Sequence, residues 1–413
     1  MVSRIRFLGS CREVGRAAIL IDEVLLDYGI KPTEPVQYPV NGLRPRDIII
    51  SHGHLDHCGL LPNLMDLNPT IYMTAPSRDF CLLLAQDILE ITEQKCYFAP
   101  FEIQDIQRVR ERTQIVEYNQ SFEVEGFKAM LFDAGHIPGS ASVYLKGEKK
   151  IFYTSDFNLR ETRLLNGCRG NFPFADILII EGTYFNKEHP PRSQLEKHFI
   201  ARIEQTLDRG GIALIPCFAI GRTQEILLVL NNYGLKPYLD GMGLDVCQIL
   251  LNWESYLKDP KGFKLAFQNA IIVKPEMRSE IIKSPNIIIT TAGMLNGGPV
   301  LYYLSRLHSD PRNSLLLTGY QAEGTNGKAA LERKQIEISG SILDLKMNVE
   351  YFDFSAHCGD VELKTSIQRF IENGVREIFI VHSERAVEFA SWIEQNYDVN
   401  AIAPKNGDEF EIE

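Results

Sequence analysis

The chain has 413 residues, 45% of them hydrophobic and 23% charged, with a formal net charge of −11. That length holds two or three domains, each large enough for its own core, and the composition excludes disordered, collagenous and disulfide-stapled classes. No apolar run approaches the roughly 20 residues of a membrane span, and the opening MVSRIRFLGSCREVG reads as strand and loop, not as a signal peptide. Eight cysteines without a CxxC pair predict reduced thiols and a cytoplasmic protein. The acidic total argues against a polyanionic partner, but the charge is uneven. Tyr184–Gly340 carries 18 basic and 15 acidic residues, a net of +3, and the remainder carries −14.

In chain order, apolar runs at Ile5–Leu8, Ala18–Ile21, Val24–Leu26, Ile48–Ile50, Ile71–Met73, Lys128–Phe132, Ser142–Leu145, Ile151–Tyr153 and Asp176–Ile180 predict strands. Ser77–Leu89 and Phe101–Arg110 carry helical periodicity. From Tyr184 the pattern changes. A helix over Gln194–Asp208, a buried strand at Gly211–Pro216 and a helix at Thr223–Asn232 are followed by buried strands at Pro237–Leu239, Ile271–Val273, Ile287–Thr290 and Ser314–Thr318. This alternation predicts a doubly wound α/β domain, with the glycine-rich stretches Gly293–Gly298 and Gly319–Gly327 as loops at strand ends. A strand-rich character returns near Ser341, with a strand at Asn348–Phe354, a helix at Val361–Glu372, a strand at Glu377–Val381 and a helix at Ala386–Tyr397.

The stretch SHGHLDHCG, Ser51–Gly59, follows the run ending at Ile50 and packs His52, His54, Asp56 and His57 into six residues. Imidazole with carboxylate suits zinc. Four such groups are more than one tetrahedral ion needs if other segments contribute, so two ions are expected. His136 (DAGHIPGS), His357 (FSAHCG) and His382 (FIVHSE) also follow runs that read as buried, as do Asp27, Asp156 and Glu181. His189, His198 and His308 lie in polar or helical contexts and read as solvated. Taken alone, Asp27 reads as a turn or cap.

HGHLDH, with Asp27 upstream and His136 and Asp156 downstream, resembles the metallo-β-lactamase superfamily. Glu181 (EGTY), His357 (FSAH) and His382 (VHSE), together with CFAIGRTQEIL, TAGMLNGGP and GYQAEGTNG, resemble its β-CASP nuclease branch along the whole chain. SHGHLDHCGLLP and CREVGRAAIL look closer to the cleavage-and-polyadenylation-factor endonucleases and their archaeal relatives than to RNase J, and the KH domains that some archaeal members carry are not expected here. The resemblance implies an α/β protein: an αββα metallo-β-lactamase sandwich made of residues 1–183 and 341–413, with a doubly wound β-CASP domain at 184–340 inserted. It implies two Zn2+ ions, one held by His52, His54 and His136 and the other by Asp56, His57 and His382, with Asp156 bridging and Asp27 orienting the ligands. Where the family shows His-Gly-Glu, this chain has Ser383 after His382.

The implied activity is hydrolysis of RNA phosphodiesters, endonucleolytic or 5′–3′ exonucleolytic. Asp56 and His357 belong to the catalytic set, and Glu181 orients His357 as the acid that protonates the departing oxygen. Arg222, Ser355, Gly319 and Tyr320 are candidates for contacts to single-stranded RNA, and a homodimer is expected by analogy. Arg222 reads equally as a structural ion-pair partner. The opening motif alone would also suit a small-molecule metallohydrolase, and a catalytically silent scaffold subunit would show broken ligand motifs, which this chain does not. DNA-acting members of the branch lack a histidine at the His382 position.

Overall fold

The computed structural model describes residues 3–33 and 35–412. The chain divides into two compact units. One contains Met1–Glu161, Gly167–Glu188 and Ala356–Glu413, and the other Thr162–Asn166 and His189–Ser355.

The first unit holds two seven-stranded sheets. One runs, in spatial order, Glu409–Ile412, Ser3–Gly9, Ala18–Ile21, Val24–Leu26, Asp47–Ile49, Thr70–Met73 and Thr113–Ile115. The other runs Asn400–Ile402, Glu377–Val381, Ile177–Glu181, Lys150–Tyr153, Ala141–Lys146, Phe127–Asp133 and Ser121–Val124. Alternate side chains of both sheets meet in one core, where the rings of Phe7 and Phe379 lie 5.0 Å apart beside Ile19, Leu131, Val143 and Ile179. The opposite faces bury against helices. Ile48, Ile71 and Met73 pack with Cys81 and Leu82 of helix Ala75–Gln94 and Val109 of helix Ile103–Arg112. Leu178, Ile378 and Ile380 pack with Ile367 and Phe370 of helix Asp360–Glu372 and Phe389 of helix Ala386–Asn396. Both faces of each central strand are therefore covered, which is why the strands read as continuous apolar runs. The arrangement is the αββα sandwich.

The second unit is built on six parallel strands in the order Ile271–Ile272, Tyr238–Asp240, Ile287–Thr290, Ala213–Pro216, Ser314–Leu317 and Asn348–Tyr351. The strand earliest in the chain lies inside the sheet and later strands add on both sides, which is the doubly wound pattern. Leu214, Ile288 and Leu315 share a core with Val300, Tyr303 and Leu304 of helix Pro299–Leu307. The short stretch 162–166 is fastened within this unit: the backbone N–H groups of Arg163 and Leu164 donate to the buried carboxylate of Glu225 at 3.1 and 2.9 Å.

Two readings are corrected. Ile271–Ile272 is an exposed edge strand and not a buried one, because it pairs on one side only. The stretch 341–355, assigned by sequence to the sandwich, instead supplies the strand Asn348–Tyr351 to the parallel sheet, where Leu315 pairs with Val349. Its apolar pattern is the same in either sheet, so only the pairing partner distinguishes them. Among the described residues, no helix is long and apolar enough to cross a membrane.

Candidate metal centre

Every side chain of the candidate centre sits at the end of a strand in the first unit. The segment after Asp47–Ile49 carries His52 and His54, and Asp56 and His57 lie on the one-turn helix Leu55–Cys58. That turn packs closely on its neighbour: a Cβ on Gly29 would lie 1.8 Å from the Asp56 carbonyl oxygen, so only glycine fits there. His136 lies in the turn after Phe127–Asp133, Asp156 follows Lys150–Tyr153, Glu181 ends Ile177–Glu181, and His382 follows Glu377–Val381. Asp27, Ser155 and His382 all have left-handed backbones, with φ of 60°, 51° and 50°. Such conformations are costly for residues other than glycine and tend to gather at functional sites.

The donor atoms form two groups that meet at one carboxylate. In the first, His54 Nδ1 lies 3.2 Å from His52 Nε2 and 3.1 Å from His136 Nε2, and Asp156 Oδ2 is 3.7 and 3.8 Å from the latter two nitrogens. In the second, Asp56 Oδ2 is 3.1 Å from His382 Nε2 and 3.9 Å from His57 Nε2. Asp156 reaches that group too, with Oδ2 3.3 Å from His57 Nε2 and Oδ1 3.4 Å from His382 Nδ1. Within each group the donor atoms all lie within 4.8 Å of one another.

Partners behind the histidines fix which ring nitrogen faces inward. His57 Nδ1 donates to Asp27 Oδ2 at 2.8 Å, and His136 Nδ1 donates to the Ala356 carbonyl at 2.8 Å. The Thr183 hydroxyl donates to the His382 carbonyl at 3.1 Å, so its oxygen accepts His382 Nδ1–H at 3.0 Å. Each bond leaves Nε2 bare toward the cluster, the usual support for a metal-ligating histidine. Ser383, where a glycine is usual, is accommodated: its hydroxyl donates to the Gly182 carbonyl at 2.6 Å and accepts Arg385 N–H at 3.1 Å.

Electrostatics agree with a cation site. Burial, with the neighbouring imidazoles His57 and His54 for His52 and His357 for His136, holds both groups well below the usual histidine range and keeps them neutral. Burial also works against a charge on His57, but Asp156, Asp56 and Asp27 outweigh it and raise its pKa. Those carboxylates would favour a metal cation at Nε2 as they favour a proton. His57 Nε2 and Asp156 Oδ1 are buried without a hydrogen-bond partner. Orphaned buried groups of this kind are costly, and a divalent ion is the species that nitrogen and carboxylate oxygen in this geometry would satisfy. The donor set therefore fits the metal the sequence implies.

Beside the cluster, His357 Nδ1 donates to Glu181 Oε1 at 2.9 Å, and His357 Nε2 lies 3.9 Å from Asp156 Oδ2. Glu181 is itself fixed by the backbone N–H groups of Phe157 and Thr183 at 3.1 and 3.2 Å. Burial opposes a charge on His357, yet Glu181 and Asp156 push its pKa up to about 9.

Arg222, Gly319, Tyr320 and Ser355 belong to the second unit, and the cluster residues belong to the first. Arg222 opens helix Arg222–Asn232. Of the three histidines read as solvated, His189 is not: its side chain is 6% exposed and its Nδ1 lies 2.9 Å from Asp353 Oδ2. A flanking Glu-His-Pro gives no hint of a carboxylate supplied from 164 residues away. The sequence reading also missed Ser51, Tyr153, Ser155 and Thr183. Ser51 and Ser155 directly adjoin His52 and Asp156, and Thr183 lies two residues after Glu181; that proximity was the available signal.

Comparison with known proteins gives three domain matches in chain order: a beta-lactamase superfamily domain over residues 19–209, a Beta-Casp domain over 223–329 and a Zn-dependent metallo-hydrolase RNA specificity domain over 342–404. The protein named Probable RNase MJ4 of Methanocaldococcus jannaschii is 39% identical over 98% of this chain and 99% of its own length. RNase aCSPSF2 of Saccharolobus solfataricus is 32% identical over 99% of this chain and 85% of its own. Transcription termination factor FttA of Thermococcus kodakarensis is 34% identical over 99% of this chain and 71% of its own. Among solved structures, a protein of unknown function from Enterococcus faecalis superposes with a TM-score of 0.63 over the full length of both chains at 12% identity, a likeness of fold alone.

Proposed function

Because the chain belongs to the β-CASP branch of the metallo-β-lactamase superfamily, we propose that it is a zinc-dependent ribonuclease that hydrolyses phosphodiesters of single-stranded RNA. The observation that carries this reading is the His357–Glu181 pair, 2.9 Å apart, set directly beside a buried two-group ligand cluster. A metal cluster alone would suit many hydrolases, whereas an added acid next to it suits the departure of a poor leaving group such as a ribose oxygen.

In this reading His52, His54 and His136 would hold one zinc and Asp56, His57 and His382 the other, with the Asp156 carboxylate within reach of both groups. When bound, such ions lower the pKa of water toward neutrality and offset charge on the non-bridging phosphate oxygens. The chain's own residues handle the leaving side. Glu181 accepts the Nδ1 proton of His357, which turns Nε2 toward the cluster and favours the protonated imidazole. As water's oxygen bonds to phosphorus and the opposite P–O bond breaks, Nε2–H passes its proton to the departing oxygen. Arg222, Gly319, Tyr320 and Ser355 are the proposed RNA contacts, with the guanidinium and loop N–H groups meeting phosphates. The proposal includes a cytoplasmic homodimer, which sedimentation velocity tests.

The deciding experiment digests matched RNA and DNA oligonucleotides, labelled at either end, with and without chelator. Cleavage of RNA alone, abolished by chelator and restored by Zn2+, is expected, and the fragment pattern separates internal cleavage from 5′–3′ trimming. Chelator-resistant cleavage, or none of RNA, overturns the reading.

A further inference from the structure

We propose that Ser51 is a positioning residue through which one carboxylate, Asp27, sets the tautomer of a histidine in each of the two ligand groups. The inference rests on the ligand assignment above and extends it to residues outside the ligand set.

Asp27 is fully buried and accepts four donors. Oδ1 takes Ser51 N–H at 2.7 Å. Oδ2 takes the Ser51 hydroxyl at 2.8 Å, His57 Nδ1–H at 2.8 Å and the Tyr153 hydroxyl at 2.9 Å. A carboxylate offers about four lone-pair positions, and four donors meet this one, three of them at Oδ2. The Ser51 hydroxyl has one proton, and it goes to Asp27. Toward its other neighbours the same oxygen can only accept. Those neighbours are the Ser155 hydroxyl at 2.7 Å and His52 Nδ1 at 3.1 Å. His52 must therefore carry its proton on Nδ1, which leaves Nε2 bare. Nε2 is the atom that faces His54 Nδ1 and Asp156.

The opposite arrangement, with the Ser51 proton given to His52, would set two oxygens lone pair to lone pair at 2.8 Å in a site where Ser51 and His52 are 1% and 0% exposed. With no water to relieve it, that contact is strongly unfavourable. Ser155 cannot take over the task, since its hydroxyl is committed to Ser51 and lies 3.4 Å from His52 Nδ1. Asp27 thus governs His57 of one group directly and His52 of the other through a single intervening hydroxyl.

The test is a metal titration of the full chain with Zn2+ against a chromophoric chelator, alongside thermal melts of the metal-free variants. Wild type is expected to take up two ions. Ser51→Ala should weaken one of the two sites by about 10–100-fold and leave the other within twofold, because the Asp27–His57 bond survives. Ser51→Thr, which keeps the hydroxyl, should restore both sites, and Asp27→Asn should weaken both. Equal loss at both sites in Ser51→Ala, no loss at either, or failure of Ser51→Thr to restore affinity in a protein that melts like wild type overturns the relay. A wild-type chain that takes up no metal overturns the ligand assignment itself, and the relay with it.

Discussion

Both units bring loops together at strand ends, yet they use them differently. In the first unit those loops carry His52, His54, His57, Asp156 and His382, whose inward atoms face one another and include two buried atoms without hydrogen-bond partners, His57 Nε2 and Asp156 Oδ1. In the second unit the groups at strand ends include an ion pair and a side-chain amide, with no group of three or more converging imidazoles and carboxylates among the described residues. Asp240, ending the strand Tyr238–Asp240, accepts Arg278 Nε and Nη2 at 2.7 and 2.9 Å and the Tyr303 hydroxyl at 2.7 Å. Gln321 gives its amide hydrogens to the carbonyls of Gly293 and Gly319. Among the described residues, every cluster with the donor set for a metal lies in the first unit. A strand-end position makes a site possible, and imidazoles and carboxylates converging there make it a ligand shell.

The largest expected effect comes from the carboxylate shared by both groups. Asp156→Asn should remove metal, measured by elemental analysis of the purified protein, and lower RNA cleavage by about 10³-fold or more, since several kcal/mol of charge stabilisation is lost. Retained stoichiometric metal would show that Asp156 is not a ligand. His357→Ala comes next. Turnover should fall by about 10²–10⁴-fold with metal content unchanged, whereas His52→Ala should lose both. Equal metal loss in the two variants would refute their separate roles.

The second unit sharpens the contrast. Asp240→Asn weakens a half-buried ion pair and should cost about 1–2 kcal/mol of stability, read by denaturant unfolding, while metal content stays at the wild-type level. A metal-deficient Asp240→Asn protein would undo the distinction between the strand ends of the two units.

The smallest effect concerns a carboxylate on helix Ala75–Gln94 of the first unit, outside the ligand groups. Burial and the neighbouring Glu90 push the Asp87 pKa up to about 6. A carboxyl whose pKa is higher folded than unfolded contributes stability below its unfolded pKa and loses it as pH rises through about 6. Asp87→Asn should therefore be more stable than wild type at pH 7–8 by about 1 kcal/mol, after discounting for partial exposure, and the gain should vanish near pH 4. A pH-independent difference would remove this account.

The sandwich and the parallel sheet were legible because their strands are continuous apolar runs, covered on both faces. The residues that converge on the cluster were legible because each interrupts such a run with an imidazole or a carboxylate. Three features were not. His189 lies among polar neighbours, and its burial depends on Asp353. Asn348–Tyr351 has a pattern that either sheet could use. Ser51, Tyr153 and Thr183 have side chains common on any strand or turn, and their importance lies in the partner they meet.

The primary structure by itself determined which groups could bind a cation and that buried strands would present them, since residue type and hydrophobic periodicity are local properties. Tertiary structure alone decided which atoms face each other. Asp56 meets His382 across 326 residues and His54 meets His136 across 82. Hydrogen bonds to Asp27, Ser51, Thr183 and Ala356 choose the nitrogen that each of four histidines turns inward. Orientation of that kind is a property of packed neighbours, and no spacing along the chain encodes it.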